Sequence, residues 1–296
     1  MTGVQRIFVG DVQGCSDEFA QLVDRVEASF GGEFELWLVG DLINRGPENL
    51  SPLRRARALV ESGRARYVLG NHEISLLRCW LGLRGVSEFD SFQDVLEAPD
   101  CDEWMHWLLR RPLVEAGRLG EQRFAMVHAA AHPDWSLAEL EGVARGLEAR
   151  LRAPGDEPRE LLGNSGAPGA DLLGRLTRCR SVGAGGTWSA DTPDETDGEQ
   201  QAWHAAWAER GHDYGLVYGH WALQGLHCAP ALRGLDTGCV HHGRGRDGAL
   251  TAWLPDPAAA RPFDLPDECF WRVPAQRAYY LHRDSPAPDA LPGPGS

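Results

Sequence analysis

The chain has 296 residues, 43% of them hydrophobic and 24% charged, which is ordinary for a soluble globular protein of one large or two ordinary domains. A formal net charge of -14 argues against general affinity for nucleic acid or an anionic membrane, and no window approaches the ~18–20 apolar residues of a membrane span. Seven cysteines without a C-x-x-C pair, behind an N-terminus with no signal-peptide pattern, are read as reduced thiols in a cytoplasmic protein.

The first apolar run, Ile7-Phe8-Val9, reads as a buried strand that stops in Gly10-Asp11-Val12-Gln13-Gly14. Ser16 or Asp17 is expected to cap a helix with Phe19, Leu22, Val23 and Val26 on one face. Gly31-Gly32 breaks it, and Leu36 to Val39 forms a second strand running into Gly40-Asp41. Ser51-Pro52 starts a helix that Gly63 stops, and Tyr67-Val68-Leu69 is a third strand, ending in Gly70-Asn71-His72-Glu73. Strand, helix, strand, helix, strand is the pattern of a parallel sheet with right-handed crossovers. Asp11, Asp41 and Asn71 follow the three strands at intervals of 30 residues, about one βαβ unit, and should gather along one sheet edge.

Helical stretches follow over Ile74 to Leu83 and through Trp104, Trp107 and Leu108, with Pro112 as a stop. Phe124 to Val127 is a fourth strand ending in His128, and Ser136 with Glu139 reads as a capping box for a helix reaching Leu151. Residues 154–198, rich in Gly, Pro and acids, read as a long excursion over the sheet or a lid, and not as a second core. Trp203 and Trp207 suggest a helix packing back, and Leu216-Val217-Tyr218 is a fifth strand ending in Gly219-His220. Leu232 to Gly238 and Ala249 to Leu254 read as two further strands, a second sheet closing the fold. A single domain over 1–284 is expected, with 285–296 a disordered tail.

Five apolar strands thus end in Asp11, Asp41, Asn71, His128 and His220. Singly, each is ordinary turn chemistry or a hydrogen-bonded histidine. Repeated five times, carboxylate, amide oxygen and imidazole suit divalent manganese, iron, cobalt or zinc better than calcium.

The motifs Gly10-Asp11-x-Gln13-Gly14, Gly40-Asp41-x-x-Asn44-Arg45-Gly46, Gly70-Asn71-His72-Glu73, Val127-His128-Ala129 and Gly219-His220 resemble the five motifs of calcineurin-like metallophosphoesterases. Leu96 to Asp100, Tyr218 to Ala222 and Leu235 to Cys239 are similar to stretches of the symmetrical diadenosine tetraphosphatase branch. The resemblance implies an α/β fold, a β-sandwich flanked by helices with the active site at the carboxyl ends of its strands. It also implies two divalent ions, most readily Mn2+, with Co2+, Fe2+, Zn2+ and Mg2+ as other choices. Asp11, Gln13 and a bridging Asp41 would hold the first; Asp41, Asn71, His128 and His220 the second. A hydroxide shared by the ions would attack phosphorus in line, with His72 as general acid and Arg45 clamping a phosphate oxygen. Arg178 and Arg180, in a Thr-Arg-x-Arg stretch like that of the tetraphosphatases, would contact the further phosphates.

The implied substrate is a dinucleoside polyphosphate cut into two nucleoside diphosphates, and the same chemistry would remove a dinucleotide cap from an RNA 5′ end. A phosphoprotein or general phosphomonoester phosphatase, and a non-catalytic nucleotide sensor, are the alternatives. Gln13 stands where many relatives have histidine, so the first metal site is expected to be weaker. Ala222 replaces a second histidine common in other branches, and Asn44 sits where protein phosphatases carry an acid. His241 and His242 are read as surface residues or else substrate contacts.

Overall fold

Continuous apolar runs mark strands covered on both faces, and the computed structural model uses them in that way. It describes residues 4–196, 198–243, 245–264 and 269–279; the tail from 285 onward lies outside the described residues. The chain opens with β1 (Gln5–Val9), α1 (Ser16–Phe30), β2 (Phe34–Leu38), α2 (Leu50–Glu61), β3 (Ala65–Tyr67) and α3 (Asn71–Trp80). It continues through α4 (Gln93–Leu96), α5 (Cys101–Leu108), β4 (Val114–Leu119), β5 (Gln122–Val127) and α6 (Leu137–Leu151). Next come α7 (Glu157–Gly163), α8 (Ala170–Arg178), β6 (Ser181–Val182), β7 (Trp188–Ser189), β8 (Gln201–Ala202) and α9 (Trp203–Ala208). The last elements are β9 (Tyr214–Tyr218), β10 (His227–Ala229), β11 (Leu232–Gly234), β12 (Ala249–Trp253) and β13 (Phe270–Pro274).

Two five-stranded mixed sheets carry the fold. One runs β13-β12-β1-β2-β3 and the other β10-β11-β9-β5-β4, with β7-β6-β8 as a small third sheet. β1, β2 and β3 are parallel, and so are β5, β9 and β11. Because strand side chains alternate, each central strand feeds two cores. Phe8, Trp37, Val39, Phe124, Met126, Val217 and Trp253 pack into one cluster drawn from both sheets. Their neighbours Ile7, Val9, Leu36, Leu38, Ala125, Val127 and Leu216 join the helix residues Phe19, Leu22, Leu53, Leu140 and Leu176 in a second. The result is a two-sheet α/β sandwich flanked by helices.

Several details differ from the sequence reading. Helix α1 is capped by Cys15 without a side-chain bond; Ser16 is its first residue, and its hydroxyl bonds Ser51 Oγ at 2.9 Å instead. Helix α3 begins at Asn71, three residues earlier than expected. Strand β4 was not expected, because Val114 to Leu119 interleaves Glu, Gly and Arg with its apolar residues; pairing with β5 makes it a strand. The strands after Leu232 and Ala249 do not share a sheet: β11 lies beside β9, whereas β12 pairs antiparallel with β1. The excursion contains α7 and α8, and Leu161, Leu162, Leu173 and Leu176 enter the same core as the sheets. No helix among the described residues is long and apolar enough to cross a membrane.

Phe124 tests the inter-sheet core, since its ring lies 5.3 Å from Phe8 and 5.1 Å from Trp37, edge-on to both. Phe124→Ala should lower unfolding free energy by about 3–5 kcal/mol in a urea titration. A loss below about 1 kcal/mol would mean that the two sheets do not share a packed core there.

Candidate functional site

The ends of the parallel strands converge because backbone groups beyond them are tied together. Glu73, in the first turn of α3, is fully buried and accepts from the N–H groups of Asp41, Leu42 and Gly70, each at 2.9 Å. The strand ends also meet where glycine leaves room. A Cβ on Gly70 would collide with the Asp41 carboxylate, and one on Gly219 with the Asp11 carboxylate. Five of the six non-glycine residues with positive φ among the described residues lie at these turns: Gln13, Asp41, Asn44, Arg45 and His220. Such conformations are uncommon for residues other than glycine and concentrate where function demands them.

Asp41, His128 and His220 present one donor atom each, all within 4.8 Å of one another and all buried. Asp41 Oδ2 lies 3.4 Å from His128 Nε2 and has no hydrogen-bond partner. His128 Nδ1 donates to the Val39 carbonyl at 2.9 Å, which leaves the Nε2 lone pair facing Asp41 Oδ2 and, at 3.0 Å, Asn71 Oδ1. His220 repeats the pattern: Nε2 donates to the Arg178 carbonyl at 3.0 Å, and Nδ1 faces Asn71 Oδ1 at 2.8 Å. With His128 and His220 in these tautomers, lone pairs converge on one point, an arrangement that a cation would reconcile.

The electrostatics agree. Burial, then the charges of Asp236 and Asp41, pushes the Asp11 carboxyl far above its usual range. Burial and Asp41 raise Glu73 to about 7, and burial raises Asp236 to about 6. Burial would raise Asp41 too, but His128 and His72 hold it below the usual carboxylate range. Burial, with Arg180 and His128 nearby, keeps His220 well below the usual imidazole value and hence neutral, as a ligand must be. Burial would lower His128 too, but Asp41 holds it above the usual imidazole value; crowded buried carboxylates with imidazoles are a donor set that fits divalent cations.

These groups open on a cleft of about 310 Å³ lined by Gln13, Asp41, Arg45, Asn71, His72 and His220. Its other walls carry Arg180, Trp221 and His241. Asp11 lies just beneath, both carboxylate oxygens accepting from His220 N–H at 3.2 Å. Arg45 donates to the Phe89 carbonyl at 2.9 Å, and Arg180 to that of Ala190 at 2.7 Å. His72 Nδ1 accepts from Asn44 Nδ2 at 2.9 Å, and burial lowers its pKa to about 4. The side chain of Arg178 does not line the cleft; it is exposed, and its backbone carbonyl instead holds His220. Asp236 was missed as a site residue. It follows the short strand β11 as the other candidates follow theirs, its Oδ1 accepts from Gly238 N–H at 3.0 Å, and its Oδ2 is buried without a partner. His241 and His242 are half-buried rather than surface residues, and only His241 reaches the cleft.

Among known proteins, the chain is 37% identical over 252 residues to a symmetrical bis(5'-nucleosyl)-tetraphosphatase of Ralstonia nicotianae, covering 80% of this chain and 86% of that one. It is 35% identical over 256 residues to the protein of the same name from Escherichia coli O1:K1, covering 79% and 87%. The crystal structure of a candidate diadenosine tetraphosphatase superposes with a TM-score of 0.59 at 25% identity, over 93% of this chain and 94% of that one. A protein serine/threonine phosphatase from Saccharomyces cerevisiae shares the fold at a TM-score of 0.50 and 12% identity, over 93% and 80%. Residues 6–242 match the calcineurin-like phosphoesterase model. That span contains every strand end described above, and the chain belongs to the calcineurin-like phosphoesterase family.

Proposed function

We propose that this protein is a metal-dependent hydrolase that splits dinucleoside tetraphosphates symmetrically into two nucleoside diphosphates. The observation that carries the reading is the convergence of Asp41, His128 and His220 donors within 4.8 Å at the floor of a cleft walled by Arg45 and Arg180. The names of its relatives, which match about 80% of the chain, supply the substrate class. Asp41, Asn71, His128 and His220 would hold one ion, and Asp11, Gln13 and Asp41 the other, with manganese the first choice for this mixed oxygen and nitrogen set. When bound, two divalent ions lower the pKa of water and neutralise phosphate charge.

The chain's own residues do the rest. Arg45 and Arg180 bind phosphate oxygens and orient the chain of phosphates, the planar guanidinium matching two oxygens at once. His72, whose Nε2 lies 3.6 Å from Asp41 Oδ2, donates a hydrogen bond toward the oxygen between the attacked phosphorus and the leaving diphosphate. The buried carboxylates hold their positions through backbone donors, so little reorganises as charge develops.

With manganese supplied, diadenosine tetraphosphate should yield only ADP by chromatography, and a chelator should abolish turnover. AMP plus ATP as products would overturn the symmetrical reading. Asp41→Asn should deplete both metals together when metal content is measured; retention of one full equivalent would contradict a shared carboxylate. His72→Ala should keep its metal while kcat falls about 100-fold, and loss of both ions in that variant would make His72 a ligand instead.

A further inference from the structure

The amide of Asn44 is held more completely than a loop residue needs. Its Oδ1 accepts from the N–H groups of Arg45 and Ser91, both at 2.9 Å, which fixes the amide's orientation. Both protons of Nδ2 are then spent, one on His72 Nδ1 at 2.9 Å and one on Asp90 Oδ1 at 3.0 Å. Asp90 is itself fixed, its Oδ2 accepting from Arg84 Nη1 at 2.8 Å, Ser87 N–H at 2.8 Å and Ser87 Oγ at 2.9 Å. Asn44 is buried, with φ at +78°, a backbone conformation that asparagine adopts more readily than most residues.

An amide N–H can only donate, so His72 Nδ1 can only accept, and the ring's proton sits on Nε2, the nitrogen nearest Asp41 in the cleft. We propose that Asn44, backed by Asp90, is a positioning residue that locks His72 as an Nε2–H hydrogen-bond donor and thereby selects phosphoanhydrides over phosphate esters of alcohols. This rests on the reading of the site as a tetraphosphate hydrolase. In that reaction a water oxygen bonds to the attacked phosphorus and releases its proton to solvent. The P–O bond to the leaving diphosphate breaks, and its electron pair stays on the diphosphate oxygen. That oxygen is a stable anion, with a pKa near ~6, and a hydrogen bond suffices for it. An alkoxide, whose conjugate acid ionises near water's ~16, must receive a whole proton, which calls for an imidazolium with an acceptor behind Nδ1. Asn44 offers no such acceptor.

Asn44→Asp alone would set two carboxylates against each other, so the decisive variant exchanges the pair, Asn44→Asp with Asp90→Asn; Asn44→Ala removes the donor. Nitrogen-15 NMR of histidine-labelled, zinc-loaded protein, with His72 assigned by His72→Gln, reads the tautomer directly. Wild type should show a bare Nδ1 and a protonated Nε2, and the exchanged variant a protonated Nδ1. Kinetically, Asn44→Ala should lower kcat on diadenosine tetraphosphate about 10-fold, with KM within about twofold. In the exchanged variant, the ratio of kcat on diadenosine tetraphosphate to kcat on a phosphoserine peptide should fall about 10-fold or more. A protonated Nδ1 in wild type, or equal losses on both substrates in the exchanged variant, would overturn the proposal. If wild type leaves diadenosine tetraphosphate intact, the substrate reading fails, while the tautomer measurement still decides the role of Asn44.

Discussion

One buried carboxylate ties the site together. Glu73 accepts three backbone N–H bonds from the turns after two adjacent strands, β2 and β3. Each of those donors would otherwise be buried without a partner, at a cost of about 1–3 kcal/mol. The same turn of α3 carries Asn71 and His72, and the His72 N–H bonds Asp41 Oδ1 at 2.9 Å. Asp41 and Asn71, thirty residues apart in sequence, therefore hold their relative positions through main-chain geometry rather than through side-chain packing. A site that must place several like-charged or lone-pair-bearing groups together needs such rigid supports, because its own members repel one another.

The supports offset a considerable strain. Five residues in left-handed conformations, at roughly 1–3 kcal/mol each, would be intolerable in a chain whose net stability is small. They persist because the turns are cross-linked: the Gln13 N–H bonds the Asp41 carbonyl at 2.8 Å, and the Gly46 N–H bonds the Gln13 carbonyl at 2.9 Å. Beneath them sit strands buried on both faces, so the turns grow from the stiffest part of the fold. Strain at the rim and dense packing under it are two sides of one design.

Much of this was legible in the residues because period and punctuation coincide. Apolar runs ending in a polar side chain, four of them through a glycine, marked five strand ends, and equal intervals put three of them on one sheet edge. What was not legible has a common cause, namely that partners distant in sequence decide it. Strand β4 exists because β5 supplies its ladder. The separation of β11 from β12 into different sheets depends on which neighbours each finds. Asp236 falls inside the strand read over Leu232 to Gly238, whereas β11 stops at Gly234 and leaves Asp236 just beyond its end. The orientation of the Asn44 amide depends on Ser91 and Asp90, almost fifty residues away. Arg178 is the reverse case, exposed and outside the cleft lining, since a motif-like spacing of arginines does not say which side chain turns inward.

A protein with a formal charge of -14 is an unlikely partner for a polyanion until charge is considered locally. At physiological salt, charges on the surface are screened within about 8 Å, so the net value has little force inside a narrow cleft. There the account runs through Asp11, Asp41 and Asp236 against Arg45, Arg180 and the cations that the donor set fits. Asp11, Asp41 and Asp236 are buried, while the walls carry Arg45 and Arg180 together with Asp191 and Glu195, so a cation at the floor would add to the guanidinium charge that a polyphosphate meets. On the proposed function, the acidic floor would repel such a substrate without the cations and attract it with them. Metal loading and substrate affinity would thus be coupled by the same buried carboxylates, and an anion as highly charged as a tetraphosphate would feel that coupling more strongly than a monoester does.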